Sequence, residues 1–318
     1  MMSAEPSYRI HGLQVRSPIE LDGDFADGGT DDVLVQLGPA RPVGAEPEGG
    51  SIVAEFVTPD QRWWTATESE TGYLIRFHST CDIGLDRDLT TLTCWPETDA
   101  SPNVVPLLVS GTALSFLLGL KNTLVLHASA VQIGATSIAF AGLPGMGKST
   151  LAGLLCSAGG RLVTDDALRV DMDEAVRCFR GTSQIRLRKA ADSVLALYPN
   201  ATPGTSPDHR QTIMPDPSDP VSPLSAIVIP QPSREATEIK ARRVDPAEAV
   251  FRLSPFLRIA RWIRPDLVGN HFKLIGQLVG LVPTYALTVP WVAPFTPELA
   301  SQVLGSVEKL IDQAGVSS

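Results

Sequence analysis

Eight consecutive residues have the types and spacing of a phosphate-binding loop: Gly142-Leu143-Pro144-Gly145-Met146-Gly147-Lys148-Ser149 fits G-x-x-x-x-G-K-[ST], the Walker A pattern. Glycines let the backbone curl until successive N–H groups point inward, where they can cradle phosphate oxygens. Lys148 can reach the outer phosphates and the Ser149 hydroxyl can ligate Mg²⁺. A helix starting near Lys148, with Thr150 in its first turn, adds the positive end of its dipole. A match of this kind arises by chance roughly once in a hundred chains of this length. The context is therefore decisive. An apolar run at 137–141 precedes the loop and a helical run at 150–155 follows it, the strand–loop–helix order the chemistry requires.

Sixteen positions after Ser149, the apolar run 161–164 ends in Asp165-Asp166. A carboxylate there is placed to organise Mg²⁺, and neighbouring residues on a regular strand point to opposite sides. One of the pair could hold the metal while the other accepts a proton from an attacking hydroxyl; the competing reading is a pair of turn aspartates. Upstream, His127 lies in an apolar run where it could orient or share a proton with the aspartates, or be a satisfied strand histidine. Arg186, Arg188, Lys189, Arg210, Arg242, Arg243, Arg258, Arg261 and Arg264 are candidates to neutralise phosphate, most of them more in keeping with solvated surface.

The elements that must position these groups follow from patterning. Short alternating runs at 8–10, 13–15, 32–37, 51–57, 63–68, 73–78 and 89–95 predict a small β-rich domain over 1–103. Within it, the pair Trp63-Trp64 reads as one core ring and one exposed ring. Residues 104–120 read as a buried helix opening a second domain, 104–318, with a helical C-terminal part. The runs 123–133 and 137–141 are separated by Gly134-Ala135-Thr136, which predicts a hairpin and an antiparallel entry into the loop. That differs from the parallel entry of a doubly wound nucleotide fold and points to a mixed sheet. A helix is expected over 189–197, and mostly loop, a lid or binding loop, over 200–223 with a short strand at 210–214. Strands are expected at 225–229, 238–241 (an edge) and 284–289, and helices at 246–253, 265–282 and 297–313, each with Pro in its first turn.

Composition narrows the field. The 318 residues are 43% hydrophobic and 19% charged, which is globular, and Lys plus Arg at 26 against Asp plus Glu at 35 gives a net charge of −9. An acidic chain does not suit a nucleic-acid partner. Cys81, Cys94, Cys156 and Cys178 are widely spaced, against a zinc site or a disulfide scaffold. The N-terminus lacks a basic region leading into an apolar core, and 104–120 is short and broken for a membrane span, so a cytoplasmic protein with no membrane partner is expected.

The order His127, then 142–149, then Gly160-Arg161-Leu162-Val163-Thr164-Asp165-Asp166 resembles the catalytic domain of HPr kinase/phosphorylase, most specifically over 127–171. The resemblance implies a mixed α/β (α+β) domain of the phosphoenolpyruvate-carboxykinase type, using ATP and Mg²⁺ to phosphorylate a serine. In that reading Asp165 is the base, His127 supports it, Ser149 and Asp166 serve the metal, and Lys148 binds phosphate. Thr150 stands where the family carries an acidic residue, and the family's carrier-docking signature and basic C-terminal loop are absent. The layout, including Tyr8-Arg9-Ile10-His11-Gly12-Leu13, looks closer to related peptide-modifying kinases of the lasso-peptide type, whose acceptor is a serine of a peptide or small protein. Two other readings stand beside it: a nucleotide-binding regulatory module without phosphoryl transfer, and a small-molecule kinase on the same scaffold. The oligomeric state is left open, a homo-oligomer included.

Overall fold

The computed structural model describes residues 5–99, 101, 103–207 and 209–315. The start of the N-terminal stretch read above for targeting signals therefore lies outside the described residues. The chain divides into two units: Met1–Asn122 with Ile259–His271, and Thr123–Arg258 with Phe272–Ser318.

The first unit is built on a nine-stranded sheet. From one edge its strands run Asp24–Phe25, Ser7–Ile10, Leu13–Arg16, Val33–Leu37, Thr91–Pro96, Cys81–Asp86, Gly72–Phe77, Arg62–Ser69 and Ser51–Val57. Val33–Leu37 pairs in parallel on both sides, and the other pairings are antiparallel. Trp64 is buried and Trp63 half exposed, as the alternation along that strand requires. The 104–120 helix forms as Val104–Leu108, a π-helical turn Val109–Ala113, and Leu114–Leu120. It groups with this first unit and not with the second, where the sequence placed it. Packing explains the difference. Phe116 sits between Tyr73 (ring centroids 5.8 Å apart) and Trp262 (5.1 Å), and a Cβ on Gly119 would lie 2.6 Å from the Trp262 ring.

Trp262 belongs to the excursion 259–271, which also covers the outer edge of Ser51–Val57: the Glu55 amide donates to the Arg261 carbonyl (3.2 Å) and the Ile263 amide to the Val53 carbonyl (2.8 Å). An otherwise open sheet edge is thereby paired.

The second unit carries a mixed sheet with helices on both faces. Ala128–Ile133 and Thr136–Ala141 form the expected hairpin, turning at Gly134 (φ +60°). Thr136–Ala141 runs parallel to the 13-residue strand Val221–Ser233, which runs parallel in turn to Thr284–Pro290, with Lys240–Val244 at the edge. Side chains alternate between two cores. Val131, Ile138, Phe140, Val228 and Leu287 meet helices Lys148–Ser157 and Pro297–Gly315 on one face. Ala130, Ala139, Ile227, Ile229 and Ala286 meet Pro246–Leu253 and the later turns of Pro265–Leu281 on the other. Coverage of both faces explains why these strands read as near-continuous apolar runs.

Within the stretch 200–223, read above as mostly loop, Gly204–Thr205 and Gln211–Ile213 build a small sheet with Ile185–Leu187, and Val221 already opens the long strand. The 189–197 segment is 3₁₀ rather than α-helical. Among the described residues no helix is long and apolar enough to cross a membrane.

Trp262→Ala should destabilise the protein by about 3–5 kcal/mol, as for other large aromatic truncations. Hydrogen exchange should show the amides of Ser51–Val57 losing protection first. Unchanged protection there would mean the excursion does not hold that edge.

Candidate phosphate-binding site

The site forms where the strand run entering the hairpin breaks. Leu124–Leu126 pairs with Leu168–Asp171, whereas Ala128–Ile133 pairs with Arg161–Thr164. Two successive strands thus take different partners, and those partners are joined by Asp165-Asp166-Ala167. His127 is the one-residue break on the first side. Its amide donates to the Phe256 carbonyl (2.6 Å), and its Nδ1 lies 3.0 Å from the Asp166 carbonyl oxygen and 3.1 Å from Asp166 Oδ1.

The Gly142–Ser149 loop leads from Thr136–Ala141 into helix Lys148–Ser157. Gly145 and Gly147 have φ of +92° and +84°, in the left-handed region that favours glycine. Gly147 is the N-cap, with no side chain bonded to the cap, so the first-turn N–H groups have no such partner and face outward for an anion. Leu143, Pro144 and Gly145 are exposed at the loop tip, Met146 and Ser149 half-buried, and Gly142, Lys148 and Thr150 buried. Trp291 lies against the loop, so a Cβ on Gly147 would come within 2.5 Å of its ring.

Lys148 Nζ donates to the Leu143 carbonyl (3.1 Å) and lies 3.0 Å from His127 Nε2. With Nδ1–H turned to Asp166, Nε2 is left to accept. Burial pushes the Lys148 ammonium down to about 8, helped by repulsion from Arg188 and Arg258 and opposed by the two aspartates.

The two aspartates part company. Asp165 is buried, and its Oδ1 accepts from both Ser149 Oγ (2.8 Å) and Ser129 Oγ (2.5 Å) while Oδ2 accepts from the Arg186 amide (3.0 Å). Asp166 has φ +92°, a left-handed conformation unusual for aspartate, and turns its side chain to a different set of partners. Besides His127, its Oδ2 meets Arg186 Nη2 (3.2 Å) and Arg258 Nη2 (3.1 Å). Burial acts to raise the Asp166 pKa, but Arg258, His127 and Arg186 outweigh it and hold the carboxyl well below the usual range.

His127 contacts both Lys148 and Asp166, and Ser149 contacts Asp165, but the neighbourhoods are exchanged. Asp165, expected as base, adjoins the Ser149 hydroxyl, and Asp166, expected at the metal, adjoins His127. Among the named arginines, Arg186 and Arg258 reach Asp166 and Arg188 approaches Gly145. Arg242 instead pairs with Glu248, and Arg264 with Glu68 and Asp266. Ser129 was missed; its only signal is that it stands two residues after His127, between two alanines of a strand that is mostly apolar.

Among the described residues, no three His, Cys, Asp or Glu side chains are grouped to hold a metal on their own. A hard cation that takes phosphate oxygens and water would need only the Ser149 hydroxyl and one carboxylate from the protein, and that donor pair is present.

No protein-family model matches the chain, and no curated protein does. Among solved structures, the HPr(Ser) kinase/phosphatase from Coxiella burnetii matches 59% of this chain and 98% of its own length, at 12% identity and a TM-score of 0.31. It is a distant structural likeness. The family stays open at that distance.

Two outcomes test the geometry. Gly147→Ala places a Cβ both in the left-handed region and against Trp291, and should cost about 1–2 kcal/mol from the backbone alone. Thermal unfolding should show the loss, with Trp291→Ala relieving only the steric part. Asp166 gives a pH signature. Because its folded pKa is depressed, the unfolded chain binds the additional proton as pH drops below about 4, so this carboxylate stabilises above that window and stops doing so within it. Asp166→Asn should flatten the acid side of the unfolding-temperature profile between about pH 5 and about pH 2. A mutant profile parallel to the wild type would contradict the pairing.

Proposed function

We propose that the chain is an ATP- and Mg²⁺-dependent kinase that transfers the γ-phosphoryl group to a serine hydroxyl of a peptide or small protein, on a phosphoenolpyruvate-carboxykinase-like domain. The observation that carries this reading is the contact of Ser149 Oγ with Asp165 at 2.8 Å, beside a continuous chain from Lys148 through His127 to Asp166. A binding loop alone needs the first feature; phosphoryl transfer to a hydroxyl also needs a proton acceptor near the lysine, and the second feature supplies one.

The roles follow the neighbourhoods. The loop amides and Lys148 hold the phosphates. Ser149 and Asp165 serve the metal side, with Ser129 fixing the Asp165 carboxylate. Mg²⁺ bound there would supply neutralisation of phosphate charge. Asp166, oriented by His127, takes the acceptor's hydroxyl proton as the oxygen–phosphorus bond forms and the bond to the ADP oxygen breaks. Lys148 leaves His127 Nε2 to reach the phosphates, so nucleotide binding also opens that edge of the imidazole.

A nucleotide-binding module without transfer has one observation in its favour: Thr150, standing where the resembled kinases carry an acid, is buried and offers the metal no carboxylate.

Incubation with γ-labelled ATP, Mg²⁺ and a panel of serine-containing peptides separates the readings. Label should appear on serine in the wild type, and Lys148→Met and Asp166→Asn should each lower the rate by at least about a hundredfold, the usual size of a general-base contribution. Asp165→Asn should raise the Mg²⁺ requirement. ATP binding without label on any peptide, followed by transfer in a metabolite screen, would favour a small-molecule kinase. Binding with no transfer to anything would establish the regulatory module.

A further inference from the structure

We infer that Arg186 and Arg258 form the seat of the transferring phosphoryl group, and that the Asp166 carboxylate is that seat's resting occupant. The inference rests on the kinase reading above and adds two substrate-contacting residues to it.

Three observations carry it. First, the guanidiniums come from separate elements, Arg186 from strand Ile185–Leu187 and Arg258 from the segment after Phe256, and both reach the same oxygen, Asp166 Oδ2, at 3.2 and 3.1 Å. Planar forks of this kind match phosphate oxygens as well as carboxylates, and two of them on one carboxylate oxygen leave positive charge that a phosphoryl group with three oxygens would engage more fully.

Second, both arginines are fixed to the site by their backbones: the Arg186 amide donates to Asp165 Oδ2 (3.0 Å) and the Arg258 amide to the Val125 carbonyl (2.9 Å). Their side chains are only 18% exposed. The backbones that carry them are held independently of the Asp166 side chain. Third, the partner is the strained member. Asp166 holds φ +92°, which an aspartate adopts only where its surroundings compel it. An intramolecular carboxylate in a strained pose on a pair of rigid cations is a group that a better anion can displace.

The location agrees. Lys148 Nζ is 3.0 Å from His127 Nε2, and His127 Nδ1 is 3.1 Å from Asp166, so the arginine pair lies one imidazole away from the lysine that receives the outer phosphates. Displacement leaves Asp166 with His127, where the acceptor's proton is to be taken.

The experiment is calorimetric titration of the full chain with ATP and with ADP, each with Mg²⁺, for wild type, Arg186→Gln, Arg258→Gln, Asp166→Asn and the double variant Arg258→Gln/Asp166→Asn. Wild type should prefer ATP. Each single arginine variant should weaken ATP by about tenfold or more, the scale of a lost hydrogen bond to a charged group, and leave ADP unchanged. Asp166→Asn vacates the seat and should tighten ATP; the double variant removes a cation together with its anion, leaving the cluster's net charge unchanged, and should bind ATP about tenfold or more weakly than Asp166→Asn does, with ADP unchanged. Equal weakening of ATP and ADP by the single arginine variants, or a folded double variant that binds ATP as tightly as Asp166→Asn, overturns the seat. A wild type that binds neither nucleotide overturns it as well, but by removing the nucleotide reading beneath it, and that failure is visible before any variant is made.

Discussion

Backbone polar groups inside a sheet must be paired, and the whole site can be understood as the consequence of two strand runs that change partners at the same level. Where Leu124–Leu126 gives way to Ala128–Ile133, the His127 amide leaves the ladder and is caught by the Phe256 carbonyl. Opposite it, where Arg161–Thr164 gives way to Leu168–Asp171, the freed Asp165 carbonyl is caught by the Thr182 hydroxyl and the Asp166 carbonyl by His127 Nδ1. Two of the carbonyls freed at the crossover are met by polar side chains, Thr182 and His127, and the freed amide by a backbone carbonyl. The same crossover delivers an imidazole and two carboxylates to the mouth of the glycine loop.

The electrostatics of that mouth are unbalanced by construction. Arg186 and Arg258 pair with Asp166, Arg188 adds positive charge beside Lys148, and Asp165 already receives three hydrogen bonds from Ser129, Ser149 and the Arg186 amide. Burial at Lys148 pushes its ammonium towards the neutral form, and its neighbouring arginines push the same way. A polyanion relieves both effects at once. The local field is thus positive although the chain as a whole is acidic, because the distribution of charge near a low-dielectric site matters more than the total.

What the sequence disclosed follows the range of each interaction. The glycine loop, its flanking strand and helix, and the hairpin at Gly134 depend on residues within a few positions of one another, and spacing alone revealed them. The Asp165-Asp166 pair was visible, but which carboxylate faces Ser149 was not. That depends on the strand stopping at Thr164 and on the left-handed turn at Asp166, and neither is written in residue type. Ser129 carried only a faint alternation signal. Arg186 and Arg258 stood in a field of similar arginines, and only tertiary contact separates them from Arg242 or Arg264. The boundary at 103/104 missed for the same reason: the residue that claims helix 104–120 for the first unit, Trp262, lies more than a hundred positions later.

That late return also sets an order of events during synthesis. Ribosomes emit the chain from its N-terminus at about 5–20 residues per second, and domains ordinarily fold as they appear. Here the first unit cannot do so completely. Its edge strand Ser51–Val57 and the groove beside Gly119 await residues 261–263, and the glycine loop, both aspartates and most of the second unit's sheet emerge in the interval. For on the order of ten seconds at those speeds, the nascent protein carries an unclosed sheet edge, the kind of surface that chaperones recognise and that neighbouring chains can pair with. The N-terminal unit is thus first in the sequence, yet it closes only after most of the second unit has been made.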